Sequence, residues 1–177
     1  VVSLTPAPQQ AGLATINLSV TDGVLNGTGS FMVEVGGVND PPTDIILSAN
    51  TIAENSGQNA VVGLLSAIDL DLVDTYTYEL MPGLGSADNA SFNIVGSELR
   101  MSTSADFETK ASYSLRLRVS DSGGLSTEKA FVVSVVNIND PPTMSAISGQ
   151  TTLEDTTALI TFTVSDQDGS LTCSPTH

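Results

Sequence analysis

One pentapeptide occurs twice in the chain, at a spacing of 100 residues. The sequence Asn-Asp-Pro-Pro-Thr occupies residues 39–43 and again residues 139–143. An internal repeat of this length matches the size of a small β-sandwich domain. The repeat therefore predicts the C-terminal half of one domain in residues 1–40, a complete domain in residues 41–140 and the N-terminal half of a third in residues 141–177.

Apolar and polar residues alternate along several short segments, which is the pattern of half-buried β-strands. Residues 14–20, 113–119 and 159–164 are the clearest examples. Turn-forming Asp-Gly, Asn-Gly and Gly-Gly pairs separate such segments, and no stretch carries an amphipathic helical period. The sequence therefore predicts an all-β chain built of tandem Greek-key β-sandwich domains.

The 177-residue chain is strongly acidic, with five Lys or Arg against twenty Asp or Glu and a formal net charge of −15. Its hydrophobic fraction of 40% is sufficient for a folded core. The acids are scattered along the chain and do not form a tail. Such a surface repels phosphate backbones and anionic lipids, so we expect no nucleic-acid partner and a preference for cations.

Missing residue types narrow the function further. Cys173 is the one cysteine and His177 the one histidine, which is too few for a disulfide framework, a zinc site or a Ser-His-Asp arrangement. No apolar run approaches the roughly 20 residues that span a bilayer, and the N-terminus lacks the order of a signal peptide. We therefore expect an internal segment of an extracellular protein, with no membrane insertion in this segment and no catalytic activity.

Acidic pairs recur in register with the pentapeptide. Asp69 and Asp71 follow its first copy at nearly the distance at which Asp166 and Asp168 follow the second. Ca²⁺ takes six to eight oxygen ligands, and an Asp-x-Asp pair can wrap one ion from successive positions. A lone Asp-x-Asp pair is more often a solvated loop, but recurrence in register favours a metal site. Other acids in this pattern are Glu54 with Glu154, Asp22 with Asp121, and the pair Asp106 and Glu108.

With these motifs in order, residues 41–140 resemble a cadherin repeat. The motifs that carry the resemblance are Ala53-Glu54-Asn55, Asp69-Leu70-Asp71, Asp106-Phe107-Glu108, Asp121-Ser122-Gly123-Gly124 and Asn137-Ile138-Asn139-Asp140-Pro141-Pro142. The resemblance implies that Ca²⁺ binds at the junctions between domains and locks neighbouring domains into a rod. Two departures from the family linker imply that each junction binds fewer ions or binds them more weakly. Gly37 and Asn137 stand where the family has an acid, and Pro141 replaces the second Asn.

The resemblance also implies a ligand set for each junction. At the second junction, between residues 41–140 and 141–177, the set is Glu54, Asp106, Glu108, Asn137, the Ile138 carbonyl, Asn139, Asp140, Asp166 and Asp168. At the first junction it is Asn39, Asp40, Asp69, Asp71 and Asp121, and residues 1–21 offer no equivalent of the Asp106 and Glu108 pair. Asp22 and Glu154 occupy the corresponding positions of the two flanking half-domains.

The Asn-Asp-Pro-Pro form and the few aromatic residues resemble bacterial cadherin-like surface arrays, and residues 4–12 resemble the strand entry of bacterial Ig-like repeats. We therefore expect a calcium-binding segment of an extracellular adhesin or filament of bacterial type, flanked by Ig-like half-repeats.

Two interpretations of the half-domains stay open. Other copies of the same chain could complete them head-to-tail and build a fibre, or the chain could be a cut through a longer array of neighbouring repeats. A carbohydrate-binding module that contacts cell-surface polysaccharide is the alternative function, although the chain has no Trp and three Tyr.

Overall fold

A computed structural model describes residues 3–7, 10–71, 74–169 and 171, so Cys173 and His177 lie outside the described residues. Regular structure in the described part is β apart from a single 3-10 turn at Asn89–Ser91, which confirms the all-β prediction. The strands are β1 (Gly12–Thr21), β2 (Asn26–Val35), β3 (Asp44–Leu47), β4 (Thr51–Ala53), β5 (Val61–Ile68), β6 (Thr77–Leu80), β7 (Phe92–Val95), β8 (Glu98–Met101), β9 (Ser112–Ser120), β10 (Ser126–Val136), β11 (Thr143–Met144) and β12 (Val164–Ser165).

Strands β3 to β10 form a sandwich of two four-stranded sheets, which we call the middle domain. One sheet has the order β3-β5-β8-β7, and the other has the order β4-β10-β9-β6. All neighbouring pairs are antiparallel except β4 and β10, which run parallel. The chain passes from one sheet to the other between β3 and β4, so its first two strands in this domain belong to different layers.

The core of the middle domain comes from the inward-facing alternate residues of both sheets. On β9, Leu115, Leu117 and Val119 are each 0% exposed, and Ile45 and Leu99 of the opposite sheet are equally buried. Burying a side chain of this size stabilises the fold by roughly 1.5–3 kcal/mol relative to leaving it in water. The sandwich therefore has a hydrophobic core that holds its ends, where the loops lie, in fixed positions.

The flanking segments have strands but no buried apolar side chains among the residues described. Strands β1 and β2 form an antiparallel hairpin with ten residue pairs, yet Leu13 on β1 is 68% exposed. Strands β11 and β12 pair over only two residues. Nor does any helix in the described residues have the length and hydrophobicity to cross a membrane.

The prediction of a strand over residues 159–164 is wrong for most of that segment. Only Val164 continues into β12, and Leu159 is 87% exposed. The equivalent strand of the middle domain, β5, pairs with β3 on one side and β8 on the other. In the downstream segment β12 has only β11 beside it, so the alternating residues before it have no sheet to join.

Candidate metal sites at the two junctions

Two groups of three carboxylates meet at the two ends of the middle domain. We call Glu54, Glu108 and Asp168 the second cluster, because they lie at the second junction. We call Asp69, Asp74 and Asp121 the first cluster, because they lie at the first. Within each cluster, the carboxylate oxygens lie within 4.8 Å of one another. A group of carboxylates this close is a candidate ligand set for a hard cation.

Glu54 anchors the second linker to the middle domain. It follows β4 directly and is only 3% exposed. Its Oε1 accepts a hydrogen bond from the Ile138 amide at 2.6 Å, and its Oε2 accepts one from the Phe107 amide at 2.8 Å. Glu54 therefore joins the linker to the loop that carries Asp106 and Glu108.

Asn137 of the linker connects the middle domain to the downstream segment. Its side-chain amide donates to Glu108 Oε1 and to Asp168 Oδ1, each at 2.9 Å. The Asp140 amide also donates to Asp168 Oδ2. The second cluster thus contains carboxylates from both sides of the linker, and the linker side chain lies between them.

A third link at the second junction comes from Asn55. Its side-chain amide donates to Asp140 Oδ1 at 2.7 Å. The backbone of Asn55 has φ 59°, a left-handed conformation that Asn tolerates better than most residues. This conformation turns the chain after Glu54 and brings the Asn55 side chain to the linker.

The carboxylates of the second cluster affect one another's protonation. Partial loss of hydration raises the pKa of Glu108, and the negative charges of Glu54 and Asp168 raise it further. The hydrogen bond from the Asp140 amide lowers the pKa of Asp168, with a further contribution from Asn137. The negative charge of Glu108 is therefore disfavoured at this site.

The first cluster combines loops from both sheets of the middle domain. Asp121 directly follows β9 and is 7% exposed. Its Oδ1 accepts a hydrogen bond from the Leu125 amide at 2.8 Å, and its Oδ2 accepts one from Asn39 Nδ2 at 3.0 Å. Asp69 and Asp74 belong to the loop after β5, and the Oδ2 atom of each is buried without a hydrogen-bond partner. A buried carboxylate oxygen without a partner costs free energy unless a cation or proton satisfies it.

The first linker already contacts this cluster. In addition to the bond from Asn39 to Asp121, the Asp40 amide donates to Asp71 Oδ2 at 2.7 Å. The side chain of Asn39 lies directly over Gly123, where an added Cβ would come within 2.4 Å of its Oδ1. A glycine is therefore needed at position 123 for the linker to approach this closely.

The acids of the first cluster affect the pKa of Tyr76. Desolvation raises the pKa of its hydroxyl, and the charges of Asp69, Asp74, Asp71 and Asp121 raise it further. The hydroxyl of Tyr76 therefore lies within the electrostatic field of the first cluster.

The same local contacts occur at both junctions. Asn55 has φ 59°, and Asp155, which lies 100 residues later, has φ 58°. Three hydrogen bonds of the first junction have counterparts at the second. The Asp71 amide donates to Asp69 Oδ1 (3.1 Å), as the Asp168 amide does to Asp166 Oδ1 (2.9 Å), and the Asp40 amide donates to Asp71, as the Asp140 amide does to Asp168. The Thr43 hydroxyl donates to the Ile68 carbonyl (3.0 Å), as the Thr143 hydroxyl does to the Ser165 carbonyl (3.3 Å). The downstream segment thus repeats the first loops of the middle domain.

None of the five Lys and Arg side chains, all of which belong to the described residues, lies at either cluster. All five Lys and Arg residues form ion pairs, and their partners are Glu98, Asp88, Glu128, Glu79 and Asp44. These pairs use acids outside both clusters. Within the described residues, the carboxylates at the two junctions therefore have no side-chain cation to balance them.

The structure brings together most of the residues predicted as metal ligands. The exceptions are a few side chains with other contacts. Asp106 accepts hydrogen bonds from the Thr109 amide (3.0 Å) and hydroxyl (2.8 Å), which lower its pKa. Asn139 donates to the Asp140 carbonyl at 3.0 Å, and Glu154 is exposed.

Asp22 lies at a turn away from the first cluster. Its Oδ1 accepts the Val24 amide at 2.9 Å and the Leu25 amide at 2.8 Å, and these bonds lower its pKa. The turn joins β1 to β2 at the end of the hairpin farthest from the first linker. Asp22 therefore has the same turn-capping position after β1 that Asp121 has after β9.

Sequence reasoning missed one member of the first cluster, Asp74. Its Oδ1 accepts the Ser122 hydroxyl, which fixes the side chain beside Asp121. Asp74 follows the Asp-x-Asp pair by three residues and precedes β6, and this short spacing was the available signal.

Comparison with known proteins gives several likenesses, although no family model matches. The chain is 32% identical over 178 residues to human protocadherin beta-1; the alignment covers 89% of the chain and 22% of that protein. Among solved structures, extracellular cadherin domains 1–4 of protocadherin gamma B7 give a TM-score of 0.54 at 23% identity, over 93% of this chain and 43% of that one. The middle domain has a cadherin-like fold.

A second solved structure supports this fold. Domains EC1–2 of human mucin-like protocadherin give a TM-score of 0.54 at 23% identity, over 78% of this chain and 74% of that chain. The chain spans only 22% of the length of protocadherin beta-1. The likenesses therefore describe the fold of this segment and not the activity of a whole protein.

Proposed function

We propose that the chain is a calcium-binding segment of an extracellular tandem-repeat protein, acting in adhesion or as part of a filament. The observation that carries the proposal is the second cluster, where Glu54 and Glu108 of the middle domain meet Asp168 of the downstream segment within 4.8 Å. Both clusters consist of carboxylates without His or Cys, a donor set that suits a hard cation such as Ca²⁺.

The proposed mechanism is mechanical. Two carboxylates about 4.8 Å apart repel by roughly 1–3 kcal/mol when the effective dielectric constant lies between that of a protein surface and that of water. Without metal, this repulsion drives the downstream segment away from the middle domain. Bound Ca²⁺ would replace the repulsion by attraction to both sides and hold the linker in one geometry.

The proposals about location and biological role rest on the similar proteins and on the sequence. The similar solved structures are described as extracellular cadherin domains, and we propose the same location and a role in self-association or cell adhesion for this chain. The bacterial type of the protein rests only on its Asn-Asp-Pro-Pro linkers and few aromatic residues. No exposed aromatic platform supports the alternative of polysaccharide binding in the residues described, so we retain adhesion.

We propose that the flanking segments are parts of cadherin-like domains, instead of the Ig-like half-repeats expected from sequence. The contacts shared by the two junctions support this assignment, because they include the loop of Asp166 and the backbone conformation of Asp155. The hairpin β1–β2 corresponds to β9–β10, and β11–β12 correspond to β3 and β5.

Head-to-tail completion of one copy by another remains a candidate for filament formation. In such a pairing, β1 and β2 would join β11 and β12, but counterparts of β6, β7 and β8 would be absent from the described residues. Sedimentation of the chain in calcium and in chelator tests the pairing, since polymers should form at high concentration. A monomer under both conditions favours a continuous array of neighbouring repeats.

The calcium proposal is tested by thermal unfolding. Ca²⁺ at millimolar concentration should raise the melting temperature relative to EGTA, because a ligand of the folded state at 100 times its Kd stabilises it by about 2.7 kcal/mol. Glu108→Gln should lose much of this gain. Glu34→Gln is the matched control, since Glu34 is exposed on β2 and belongs to neither cluster.

Equal melting temperatures in calcium and in chelator would rule out the proposal. A gain that is the same in Glu108→Gln as in the unmodified chain would show that calcium acts elsewhere than at the second cluster. A parallel titration with Mg²⁺ distinguishes a calcium site from a general preference for divalent cations, because Mg²⁺ gives up its water shell reluctantly.

A further inference from the structure

We infer that Thr127 and Lys129 of β10 form a side-chain clamp that resists mechanical tension along the chain. The clamp ties residues 42–54, through which the chain enters the middle domain, to β10, through which it leaves. We call residues 42–54 the entry segment. This inference rests on the proposed function, because a segment of a tandem array transmits any pull on the array through its two linkers.

The entry segment and β10 lie side by side and run in the same direction. Near the first junction, Pro42 contacts Thr127, and Ile45 contacts Lys129. Near the second junction, β4 pairs in parallel with residues 134–136. Tension on the two linkers therefore pulls the entry segment toward the first junction and β10 toward the second. Such sliding loads all of these contacts together, whereas strands that peel apart lose them one at a time.

Lys129 connects the two sheets of the sandwich at the start of this path, since β3 belongs to one sheet and β10 to the other. Its Nζ donates to both carboxylate oxygens of Asp44, at 2.7 and 3.0 Å, and to the Ile45 carbonyl at 3.0 Å. The same Nζ lies 5.3 Å from the centre of the Phe131 ring, where a cation is attracted to an aromatic face. Lys129 thus holds β3 against β10 through three acceptor atoms.

Thr127 secures the first residue of the entry segment. Its hydroxyl donates to the Pro42 carbonyl, and Pro42 is fully buried. Proline has no amide proton to donate to a neighbouring strand. The bond from Thr127 and the burial of the ring therefore anchor the chain where it leaves the first linker.

The clamp belongs to the middle domain and is not repeated in the upstream hairpin. Phe31 on β2 and Phe131 on β10 occupy corresponding positions, since each pairs with an apolar residue of the preceding strand. In this register, Gly27 and Gly29 stand at the positions of the two clamp residues. A hydrogen atom thus replaces each clamp side chain on β2.

Force spectroscopy of the full chain tests the clamp. The chain is held in EGTA between handles fused to its two ends, and unfolding of the middle domain is recognised by a gain in length of roughly 300 Å, as expected for about 100 residues. At the same constant force, Lys129→Met should unfold about fivefold faster than the unmodified chain, because sliding breaks the contacts of Lys129 before the transition state.

Lys110→Met is the matched control. Lys110 also pairs with an aspartate, Asp88, and its Nζ lies 5.1 Å from the centre of the Tyr113 ring. Its side chain is 42% exposed, against 39% for Lys129. These contacts of Lys110 join neither the entry segment nor β10, so they survive in the transition state under tension. The unfolding rate of Lys110→Met under force should therefore stay within about twofold of that of the unmodified chain.

Equilibrium unfolding in urea separates the mechanical role from a general loss of stability. Each lysine variant removes one part-exposed ion pair, so both urea midpoints should fall by similar amounts, whereas only Lys129→Met should unfold much faster under force.

Thr127→Val and Thr77→Val form a second pair, which keeps the test decisive if Lys129→Met does not fold. The Thr77 hydroxyl also bonds a carbonyl on another strand, that of Ser120 at 3.5 Å, but Thr77 lies on β6, which carries neither linker. Thr127→Val should unfold about threefold faster at the same force, and Thr77→Val should not change the rate.

The inference is overturned if the two lysine variants unfold at the same rate under force, or if the two threonine variants do. Failure of the proposed function looks different, because calcium would then leave the melting temperature unchanged. The force measurements are made in EGTA, so their outcome does not depend on that result.

Discussion

The acidic residues at the junctions differ in whether their carboxylate oxygens already accept hydrogen bonds. Both carboxylate oxygens of Glu54 accept backbone amides, so Glu54 holds the second linker even without metal. Asp69 and Asp74 each keep one buried oxygen without a partner. Glu54 thus has a structural role that needs no cation, whereas the first cluster contains buried oxygens that a cation would satisfy.

Gly123 makes the docking of the first linker possible, and its substitution tests this role. Gly123→Ala should displace Asn39, because the new methyl would lie 2.4–2.6 Å from three atoms of the Asn39 side chain. Loss of the bond from Asn39 to Asp121 should lower the affinity of the first cluster for Ca²⁺ several-fold. Isothermal titration calorimetry measures the change.

Two further variants separate this clash from a general effect of alanine. Gly149→Ala introduces a methyl group with no atom within 4 Å and should leave the affinity unchanged. Adding Asn39→Gly to Gly123→Ala removes the colliding side chain and should restore the melting temperature, but not the full affinity. Equal affinity of Gly123→Ala and the unmodified chain would refute the role given to Gly123.

Asp88 gives a pH-dependent contribution to the stability of the middle domain. Its carboxylate accepts Lys110 Nζ and the Ser114 amide, and these contacts, that of Lys110 foremost, lower its pKa. A lowered pKa stabilises the fold above the ordinary value of about 3.9, and this stability is lost as the pH falls through the folded-state value. Asp88→Asn should therefore cost about 1 kcal/mol at pH 7.

The pH dependence is the decisive part of this prediction. The difference in unfolding free energy between Asp88→Asn and the unmodified chain should shrink below pH 4, because the native carboxylate then becomes neutral as well. Urea unfolding at a series of pH values measures it, with Asp155→Asn as the control. A difference that stays constant from pH 7 to pH 2.5 would contradict the assignment to charge.

At the scale of strands, the hairpins β1–β2 and β9–β10 have the same pattern and different burial. Alternation correctly predicted strands at residues 14–20 and 113–119, because both hairpins form their own hydrogen bonds. It failed for most of residues 159–164, because β11 pairs only with Val164 and Ser165 and leaves the residues before them without a partner strand. A local pattern indicates which residues favour an extended chain, but burial depends on partner strands elsewhere in the sequence.

The candidate metal sites, like the strands, were predictable from the sequence only in part. Repeat register and the resemblance to cadherin repeats together predicted Glu54, Glu108 and Asp168 as ligands, because these residues recur or match a motif. Asp74 lies outside those motifs, and only the folded loops show that it meets Asp121. The repeated contacts at Asp166 and Asp168 also needed the structure, since hydrogen-bond geometry does not follow from spacing.

Amide hydrogen exchange should be much faster in the hairpin β1–β2 than in the hairpin β9–β10. In β9–β10 the apolar side chains Leu117, Val119 and Val133 are each 0% exposed, so its amides should open only with the whole domain. In β1–β2 the equivalent Leu18 and Val20 are 43% and 72% exposed, and a lone hairpin is at best marginally stable in water. Mass spectrometry of peptic fragments should find exchange within seconds in β1–β2 and at least a hundredfold slower exchange in β9–β10.

Strong protection of β1–β2 in dilute solution would contradict this prediction and would show that another segment covers the hairpin. Repeating the measurement at high protein concentration then distinguishes the cause. Protection that rises with concentration indicates pairing between copies, which is the head-to-tail interpretation.

For the whole molecule, the distribution of charge determines the response to salt. The five cations pair with acids outside both clusters, and such exposed pairs contribute about 0–1 kcal/mol each. The net charge of −15 therefore resides in acids without cationic partners, and the two clusters concentrate part of it at the ends of the middle domain. Salt weakens both the attraction within the ion pairs and the repulsion within the clusters, and these two changes affect the stability of the fold in opposite directions.

We expect repulsion to dominate in the metal-free chain. Raising NaCl from 0.1 M to 1 M shortens the Debye length from about 10 Å to about 3 Å, which screens the junction acids. The melting temperature in EGTA should therefore rise by several degrees, since 1 kcal/mol corresponds to roughly 2–8 °C in domains of this size range. In saturating Ca²⁺ the rise should be smaller, because bound metal has already neutralised the clusters. The double variant Glu108→Gln with Asp74→Asn should also respond less in EGTA, since each substitution removes one clustered charge. Equal salt responses in calcium and in chelator would show that repulsion within the clusters does not limit the stability of the metal-free chain.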